Sequence, residues 1–399
     1  MAEKKVIVRK DWISSFNLVG RPVINDFTFT IDGRSQKSNW IYNAMNLKVD
    51  CGEKHGVIDA QMMGGYSEDN ENRIFAHGKK DDNSDDFEKQ IIVDWSDRFN
   101  EEVLEEIGNM SFIDVGLEKT DKGAIFTKHF LSEYDAIAYV KEHLREDMVI
   151  NVRGRIAYSL YNDTVQVRKN ITYIGLSVDR KTNQPTTSDK YKATFTQSVL
   201  IDKDSASLKN IDKDKGVMFV DTKVLDYLKE YNGVEVKGYF PYDKQFEFAM
   251  DFSKEAACKK IMDKLFKVKK GYTQITFEGD LIEGGAVVTA TYDDLPDDIK
   301  DLVDMGVYEL EDACAKCTAN GSKERRMVLK VPQIKLVGED KVPVVQKFEE
   351  RYTDDDLVLD YLYEKKAESS KADEDKAPFD TDETSVDSEG GDLDWLNKL

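Results

Sequence analysis

The sequence predicts a mostly β protein with short helices, an α+β arrangement in which strands dominate. Residues 148–161 and 164–178 alternate apolar and polar side chains, as half-buried strands do. Helical patterns are few and short, and residues 133–146 form the clearest of them. Residues 367–399 are rich in Ser, Asp, Glu, Lys and Gly and contain few large apolar side chains. Such a segment cannot bury a core, so we expect a disordered C-terminal tail.

Charge is distributed unevenly along the chain. The 399 residues carry a net charge of −21, which alone disfavours binding to a polyanion. Residues 367–399 hold eleven acidic and three basic side chains, a net charge of −8, which leaves −13 for the body. Residues 1–48 have a net charge of +4 and residues 254–277 a net charge of +5. Local positive surfaces are therefore expected on an acidic protein.

We assign residues 1–180 to a first domain. Its predicted strands are residues 16–31, 39–51, 55–63, 148–161 and 164–178, and its predicted helices are residues 101–107 and 133–146. Residues 67–132 form an insertion, in which Ser67 to Lys89 is expected to be a long loop. Three strands, a helix and two strands is the order of an OB-fold, a five-stranded Greek-key barrel.

A second domain is predicted at residues 188–346, after a polar linker. We expect strands at residues 191–201 and 327–337, a helix at 222–231, a hairpin at 234–252 and a helix at 255–266. Pro332 indicates an edge strand. A weak repeat links the two domains: Tyr139-Val-Lys-Glu with Gly154 and Tyr158 resembles Tyr227-Leu-Lys-Glu with Gly238 and Tyr242. The repeat favours tandem OB-like barrels, with an unrelated α+β second domain as the alternative.

The hairpin formed by residues 148–178 contains the main candidate binding surface. Alternation places Arg153 and Arg155 on one face with polar neighbours, and Arg168, Lys169 and Tyr173 lie nearby in the pairing. Guanidinium groups bind phosphates and aromatic rings stack on bases, which are the two needs of a single-stranded nucleic-acid groove. The alternative is an ordinary solvated β face.

A second candidate surface lies on the predicted second strand. Trp40 and Tyr42 are two residues apart and share a face, with Lys48 further along the strand and Arg21 on the first strand. The second and third strands usually line the ligand face of an OB-fold. The more common interpretation of such a pair is that the rings belong to the core, which would leave Lys48 as an incidental surface residue.

The predicted nucleic-acid-binding residues therefore come from both surfaces. They are Arg21, Trp40, Tyr42, Lys48, Arg153, Arg155, Tyr158, Tyr161, Arg168 and Lys169.

The end of the chain is its most informative segment. It has the sequence Asp392-Leu393-Asp394-Trp395-Leu396 and closes on Leu399. The leucines and the tryptophan fit one face of a helical turn, a pattern typical of a segment that binds a partner protein. The alternative is a tail that only aids solubility.

This combination of barrel-like domains and an acidic tail with a hydrophobic tip resembles single-stranded DNA-binding proteins of bacteria and their phages. The resemblance implies a non-catalytic role in DNA replication or recombination. It also implies that the tail recruits replication proteins such as a polymerase, helicase or primase, and competes with DNA for the groove. A chain of about twice the usual size requires the second barrel.

The sequence gives little support to other functions. It contains no P-loop, GxSxG or HExxH motif, and we expect no enzyme and no cofactor. Cys314 and Cys317 form a single CxxC pair, and a zinc site would have to recruit Cys51 or Cys258.

Four scattered cysteines, no signal peptide and no long apolar run favour the cytoplasm, of a host cell if the protein is phage-encoded, without a membrane partner. The alternative function is a virion structural or assembly protein built of β domains, which the acidic body would suit.

Overall fold

The structure is a computed structural model. It describes residues 6–36, 38–162, 164–231, 234–284, 292, 295, 297–305, 309–310, 325–337 and 341–358. Among them no helix is long and apolar enough to cross a membrane. The mostly β fold with few short helices that the sequence predicts is confirmed.

The first half of the chain forms one barrel with an insertion. Its elements are β1 (Ser14–Val23), β2 (Phe29–Arg34), β3 (Trp40–Asp50), β4 (Val57–Ser67), β5 (Arg73–Lys79), β6 (Asp85–Asp94), α1 (Glu101–Glu106), β7 (Ile113–Lys119), β8 (Ile125–Phe130), α2 (Glu133–His143), β9 (Ile150–Tyr161) and β10 (Thr164–Leu176). Five of these strands close a ring in the order β1-β3-β4-β10-β9-β1. Within this ring of described strands only the pair β4 and β10 is parallel, and α2 lies between β4 and β9 in the chain. This is the strand order of an OB-fold.

The second half repeats this topology. Its elements are β11 (Lys192–Ile201), β12 (Ala206–Asp212), β13 (Val217–Tyr231), β14 (Val234–Ala249), α3 (Glu255–Ile261), β15 (Tyr272–Glu283), α4 (Asp297–Asp304), β16 (Arg325–Pro332), β17 (Ile334–Val337), β18 (Val342–Val345), β19 (Lys347–Tyr352) and α5 (Asp354–Leu357). The ring order is β11-β13-β14-β16-β15-β11, with β14 and β16 parallel and α3 between β14 and β15. Tandem OB-like barrels are therefore present.

The two barrels share one continuous sheet. Strand β1 pairs with β9 and β3 of its own barrel and also with β11 of the second, antiparallel from Ser14↔Gln197 to Val19↔Lys192. Gly154 lies where β9 is bonded to both β1 and β10, and a Cβ there would come within 1.9 Å of the Asn170 carbonyl oxygen. Only glycine allows this approach, which fixes the position of β9 and of the arginines beside it.

Two predicted elements of the second domain are wrong. Residues 222–231 are not a helix but the second half of β13, which pairs with β14 over almost its whole length. The predicted hairpin at 234–252 is the single strand β14. Its pairing with β13 outweighs the weak local helical pattern. Because Tyr139 lies on α2 and Tyr227 on a strand, the sequence repeat does not match the structural repeat.

Pro332 is the last residue of β16, which lies between β14 and β15 and is therefore not an edge strand over its whole length. The pairing with β14 ends at Leu329, so Pro332 itself is paired on one side only, with Phe277 of β15. Proline is tolerated there because the strand ends at that residue and one side of it is unpaired.

The predicted loop from Ser67 to Lys89 is largely a hairpin of β5 and β6. Ala76 and Val93 on its inner face pack against Ile107. The outer face carries His77, whose Nε2 lies 2.8 Å from Asp85 and whose Nδ1 lies 2.8 Å from the Ser111 hydroxyl. The same Ser111 oxygen accepts the His77 backbone N–H, so this trio ties the hairpin to the following turn.

Candidate nucleic-acid interface

The predicted arginines project outward from barrel 1. Along β9 the side chains of Ile150, Val152 and Ile156 are buried in the barrel, whereas Arg153 and Arg155 are exposed. This follows the alternation of the sequence, because successive side chains of a strand point to opposite faces.

Strand register brings the three arginines together. Arg155 lies opposite Asn170 on β10, and Arg168 lies opposite Ala157 on β9. Arg153 lies opposite Tyr173 across a bulge in β10. Directly opposed residues share a face with Cβ atoms about 4.5–5.5 Å apart. Arg153, Arg155 and Arg168 therefore form one outward surface, which we call the arginine face.

The arginine face keeps its charge. Within the described part of the chain, no carboxylate forms an ion pair with any of its three guanidinium groups. Arg153 instead lies over the Tyr173 ring, with its guanidinium carbon 3.9 Å from the ring centroid. Some basic groups on other strands are paired with carboxylates, as Arg326 is with Glu247. An unpaired cluster of this kind is suited to a phosphate backbone.

A shallow groove of about 400 Å³ continues the arginine face toward the second barrel. It crosses β10, β9, β1 and β11, which the register aligns side by side. Its polar lining is Ser15, Asn17, Arg153, Thr172, Tyr173, Thr194 and Thr196. Hydroxyl and amide groups beside a guanidinium can bind phosphate and sugar oxygens. We call this depression the central groove.

Trp40 and Tyr42 lie on the outer surface of barrel 1, not in its core. Ile41 and Met45 occupy the interior positions of β3 and are buried. The two rings are half-buried and stack with centroids 5.0 Å apart at 20°. They share the outward face of β3 with Asn46. In the strand register Asn46 lies opposite Gln61 of β4, Gln61 lies opposite Asn170 of β10, and Asn170 lies opposite Arg155, so this face continues to the arginine face. The expectation that these two rings belong to the core is wrong, because Ile41 and Met45, and not Trp40 and Tyr42, point into the barrel.

Lys48 and Arg21 are less available than the arginine face. Lys48 forms an ion pair with Asp59 at 2.6 Å, and Asp59 also bonds Arg325 at 3.2 Å. Arg21 is exposed and donates from Nε to the Tyr191 hydroxyl at 3.3 Å. Lys48 is thus partly neutralised, whereas Arg21 remains a cation at the far end of β1.

Tyr158 does not contact solvent as a stacking residue would. It is buried, its hydroxyl donates to Gln197 Oε1 at 2.9 Å and its backbone N–H donates to Asp226 at 2.7 Å. Burial, reinforced by the negative charge of Asp226, raises its pKa well above the ordinary value. Tyr158 joins the two barrels, so its assignment to the nucleic-acid surface is not supported.

Lys169 is also buried, in an ion pair with Glu283 of the second barrel. Lys169 lies opposite the buried Ile156 of β9, so its side chain is on the inner face of β10, away from that of Arg168. The prediction took the two neighbours together, although adjacent strand residues face opposite ways. Tyr161, by contrast, is on the same face of β9 as Arg155 and is half exposed.

The sequence did not single out Ser15, Asn17, Thr194 and Thr196. They enter the central groove because β1 and β11 pair with each other and β1 also pairs with β9. Their only local signal is alternation with buried residues such as Phe16 and Phe195. That signal does not reveal which distant strands become neighbours.

The predicted partner-binding residues Asp392, Leu393, Asp394, Trp395, Leu396 and Leu399 lie outside the described residues, as does the whole of residues 367–399. Cys314 and Cys317 lie outside them as well.

Cys51 and Cys258 are both buried, and burial raises the pKa of the Cys51 thiol to about 12, which disfavours the thiolate that zinc requires. The described residues contain no group of three or more His, Cys, Asp or Glu side chains that could hold a metal ion.

Comparison with known proteins gives little direct guidance. No protein-family model and no curated protein matches the sequence. Among solved structures, the chain is similar to a deletion mutant of the single-stranded DNA binding protein from Thermus aquaticus, with 8% identity, a TM-score of 0.27 and coverage of 68% of this chain and 87% of that chain. The wild-type protein from the same organism gives 9% identity, a TM-score of 0.25 and coverage of 69% and 87%. These scores show a weak likeness only.

Proposed function

We propose that this protein binds single-stranded DNA along the outer surface of barrel 1 and does not catalyse a reaction on it. One observation carries the proposal: strand register gathers Arg153, Arg155 and Arg168 on one face without a carboxylate partner among the described residues. Three unpaired guanidinium groups on an acidic protein form a binding surface for a polyanion.

The aromatic residues favour a single strand over a duplex. Trp40 and Tyr42 lie on the outward face of β3, and Tyr161 lies half exposed at the end of β9. Rings on a surface bind unpaired bases by stacking, whereas the bases of a duplex are already stacked on each other. Stacking contributes about 1–3 kcal/mol per base and tolerates any base. We therefore expect little sequence preference.

The negative net charge is compatible with this role. Residues 367–399 carry −8 of the −21. Charges further than about one Debye length from a site, roughly 8–10 Å at moderate salt, are largely screened. The field at the arginine face is therefore set by nearby groups: its own guanidinium groups, the neutral hydroxyl and amide groups of the central groove, and the carboxylates of Asp114 opposite Tyr173 and Glu278 opposite Thr196.

A binding protein of this kind would act in DNA replication or recombination. The acidic C-terminal segment with its Leu and Trp anchors would recruit replication proteins, as predicted from the sequence.

Binding of the full chain to labelled oligonucleotides tests the proposal. Fluorescence anisotropy with single-stranded DNA, single-stranded RNA and duplex DNA should show preference for the single strands and steep weakening with salt. Equal affinity for the duplex, or no binding at low salt, would contradict it. Comparison of the two single strands decides between DNA and RNA.

One observation favours the alternative function in assembly. Phe75 and Ile92 oppose each other on the outer face of the β5–β6 hairpin and are 66% and 52% exposed. Apolar pairs of this kind can join copies of a protein. Measurement of the molar mass by light scattering at high concentration without DNA tests this role, and a monomer would argue against it.

A further inference from the structure

A β-bulge in β10 directs the Tyr173 side chain out of barrel 1. Opposite Ile171 and Tyr173 lie two consecutive residues of β9, the second of them Arg153, so Thr172 is one extra residue on β10. Ile171 and Ile174 are both buried although they are three positions apart, which a regular strand cannot place on one face. The extra residue lets both point into the barrel and leaves Tyr173 on the outer face beside Arg153.

Two glycines leave room for the Tyr173 ring on that face. Gly175 follows Tyr173 on the outer side of β10 and lies opposite Gly116 of β7. A Cβ at Gly175 would come within 2.5 Å of the Tyr173 hydroxyl oxygen, so any side chain there would displace the ring. The bulge and the glycines together determine where the ring lies.

Arg153 uses this ring as its partner instead of a carboxylate. Its guanidinium carbon lies 3.9 Å from the ring centroid, within the distance of a group stacked on the face of the ring. The carboxylate of Asp114, the residue opposite the tyrosine on β7, contacts His129 Nδ1 at 2.7 Å and forms no ion pair with Arg153 in the described structure. No aromatic ring among the described residues lies in this way under Arg155 or Arg168. Arg153 is therefore the arginine whose side chain is held in place before a ligand binds.

The held guanidinium lies where the arginine face meets the central groove. On β1 the residue opposite Arg153 is Asn17, on β10 it is Tyr173, and both line the groove. A guanidinium binds phosphate through the N–H groups at its edge, so stacking on one face leaves the binding edge free. Immobilising a rotamer-rich side chain on binding costs roughly 2- to 12-fold in affinity, and a guanidinium that is already held avoids this cost.

We propose that Tyr173 is a positioning residue that holds the Arg153 guanidinium ready for a backbone phosphate at the boundary of the central groove. The inference rests on the proposed binding of single-stranded DNA and assigns Tyr173 a role that acts through Arg153. The rival role for an outward tyrosine is to stack on a base directly. The two roles differ in one respect, which is whether the effect of Tyr173 depends on Arg153.

A double-mutant cycle in the full chain separates the two roles. Fluorescence anisotropy with labelled oligothymidylate compares Tyr173→Leu, Arg153→Gln and the double variant. Tyr173→Leu should weaken binding roughly 2- to 12-fold, and Tyr173→Phe, which keeps the ring, should restore the affinity. In the Arg153→Gln background, Tyr173→Leu should have no further effect. An equal loss in that background would show that the ring contacts DNA itself and would overturn the proposal.

Tyr161 supplies a matched control. It is a half-exposed tyrosine on the outward face of β9, and no cation of the described chain lies over its ring. Tyr161→Leu should change the affinity by the same factor whether position 153 is Arg or Gln, because distant sites act independently. Coupling of Tyr161 to Arg153 as strong as that of Tyr173 would overturn the specific assignment.

A measurement without nucleic acid separates this inference from the proposed function. In ¹H–¹⁵N spectra of the free protein, the ring current should shift the Arg153 Nε–Hε signal upfield in the unmodified chain but not in Tyr173→Leu. The signal is assigned by its loss in Arg153→Gln. An unshifted signal in the unmodified chain, or unchanged DNA affinity in a folded Tyr173→Leu variant, would overturn this inference alone. Failure of the unmodified chain to bind single-stranded DNA would refute the proposed function and this inference with it.

Discussion

Removal of charge from the arginine face should change how affinity for single-stranded DNA depends on salt. The perturbation is the triple substitution Arg153→Gln, Arg155→Gln and Arg168→Gln. Each phosphate contact to a single strand contributes about 0.7 to the slope of log affinity against log salt. If each guanidinium binds one phosphate, the triple variant should have a slope shallower by about 2, so the unmodified protein should lose about 20-fold more affinity between about 50 and 200 mM salt.

The assay is fluorescence anisotropy with labelled oligothymidylate of about 30 nucleotides, long enough for two barrels at up to roughly 16 nucleotides each. A matched control replaces Lys122, Lys209 and Lys213 by Gln. These three lysines are exposed, and none lies on strands β9 or β10. The control removes the same net charge from the protein and should leave the slope within about 0.5 of the original.

Thermal unfolding of both variants must first show that the fold is intact, which we expect because all three arginines point outward and Gln keeps a polar side chain. An unchanged salt slope in a folded triple variant, or an equal change in the control, would refute the reasoning. The arginine face would then not be the phosphate-binding surface.

Other predictions concern residues that join the barrels. Tyr158→Phe should lower the free energy of unfolding by about 1–2 kcal/mol, through loss of the hydrogen bond to Gln197, and leave DNA affinity unchanged; reduced affinity at unchanged stability would restore Tyr158 to the binding surface. Lys169→Met should lower the free energy of unfolding in urea by about 3 kcal/mol, because it leaves the buried Glu283 carboxylate with one hydrogen bond from the Asp59 backbone N–H and only a distant cation, Arg325; a second change, Glu283→Leu, should recover much of the loss. Burial lowers the pKa of His55, whose Nδ1–H donates to the Leu281 carbonyl, so the unfolded chain binds the proton first as pH falls below about 6.5. Stability should therefore decrease from pH 7.5 toward pH 5.5, and a His55→Asn variant should show a flatter dependence in the same unfolding assay.

Much of the first barrel was predictable because its signals are local. The alternation in residues 148–178 predicts strands β9 and β10 and the outward position of Arg153 and Arg155. The amphipathic pattern at α2 and the order of strands around it predict the OB-like topology. These features depend on the period of the sequence, which each segment carries by itself.

Features that depend on pairing were not predictable in the same way. Residues 222–231 have apolar side chains compatible with either period, and their pairing with β14 made them a strand. Trp40 and Tyr42 could belong to either face of β3 until the ring closed with Ile41 and Met45 inside.

The sequence by itself determined the fold class, the barrel topology of the first domain and the residue types available for binding phosphates and bases. The tertiary structure alone decided that β1 joins β11 to β9, which created the central groove and buried Tyr158 and Lys169 between the barrels. The physical reason is the distance along the chain. Alternation is set by neighbouring residues, whereas burial between the barrels is set by strands from 39 to 114 residues away, as for Tyr158 with Gln197 and Lys169 with Glu283.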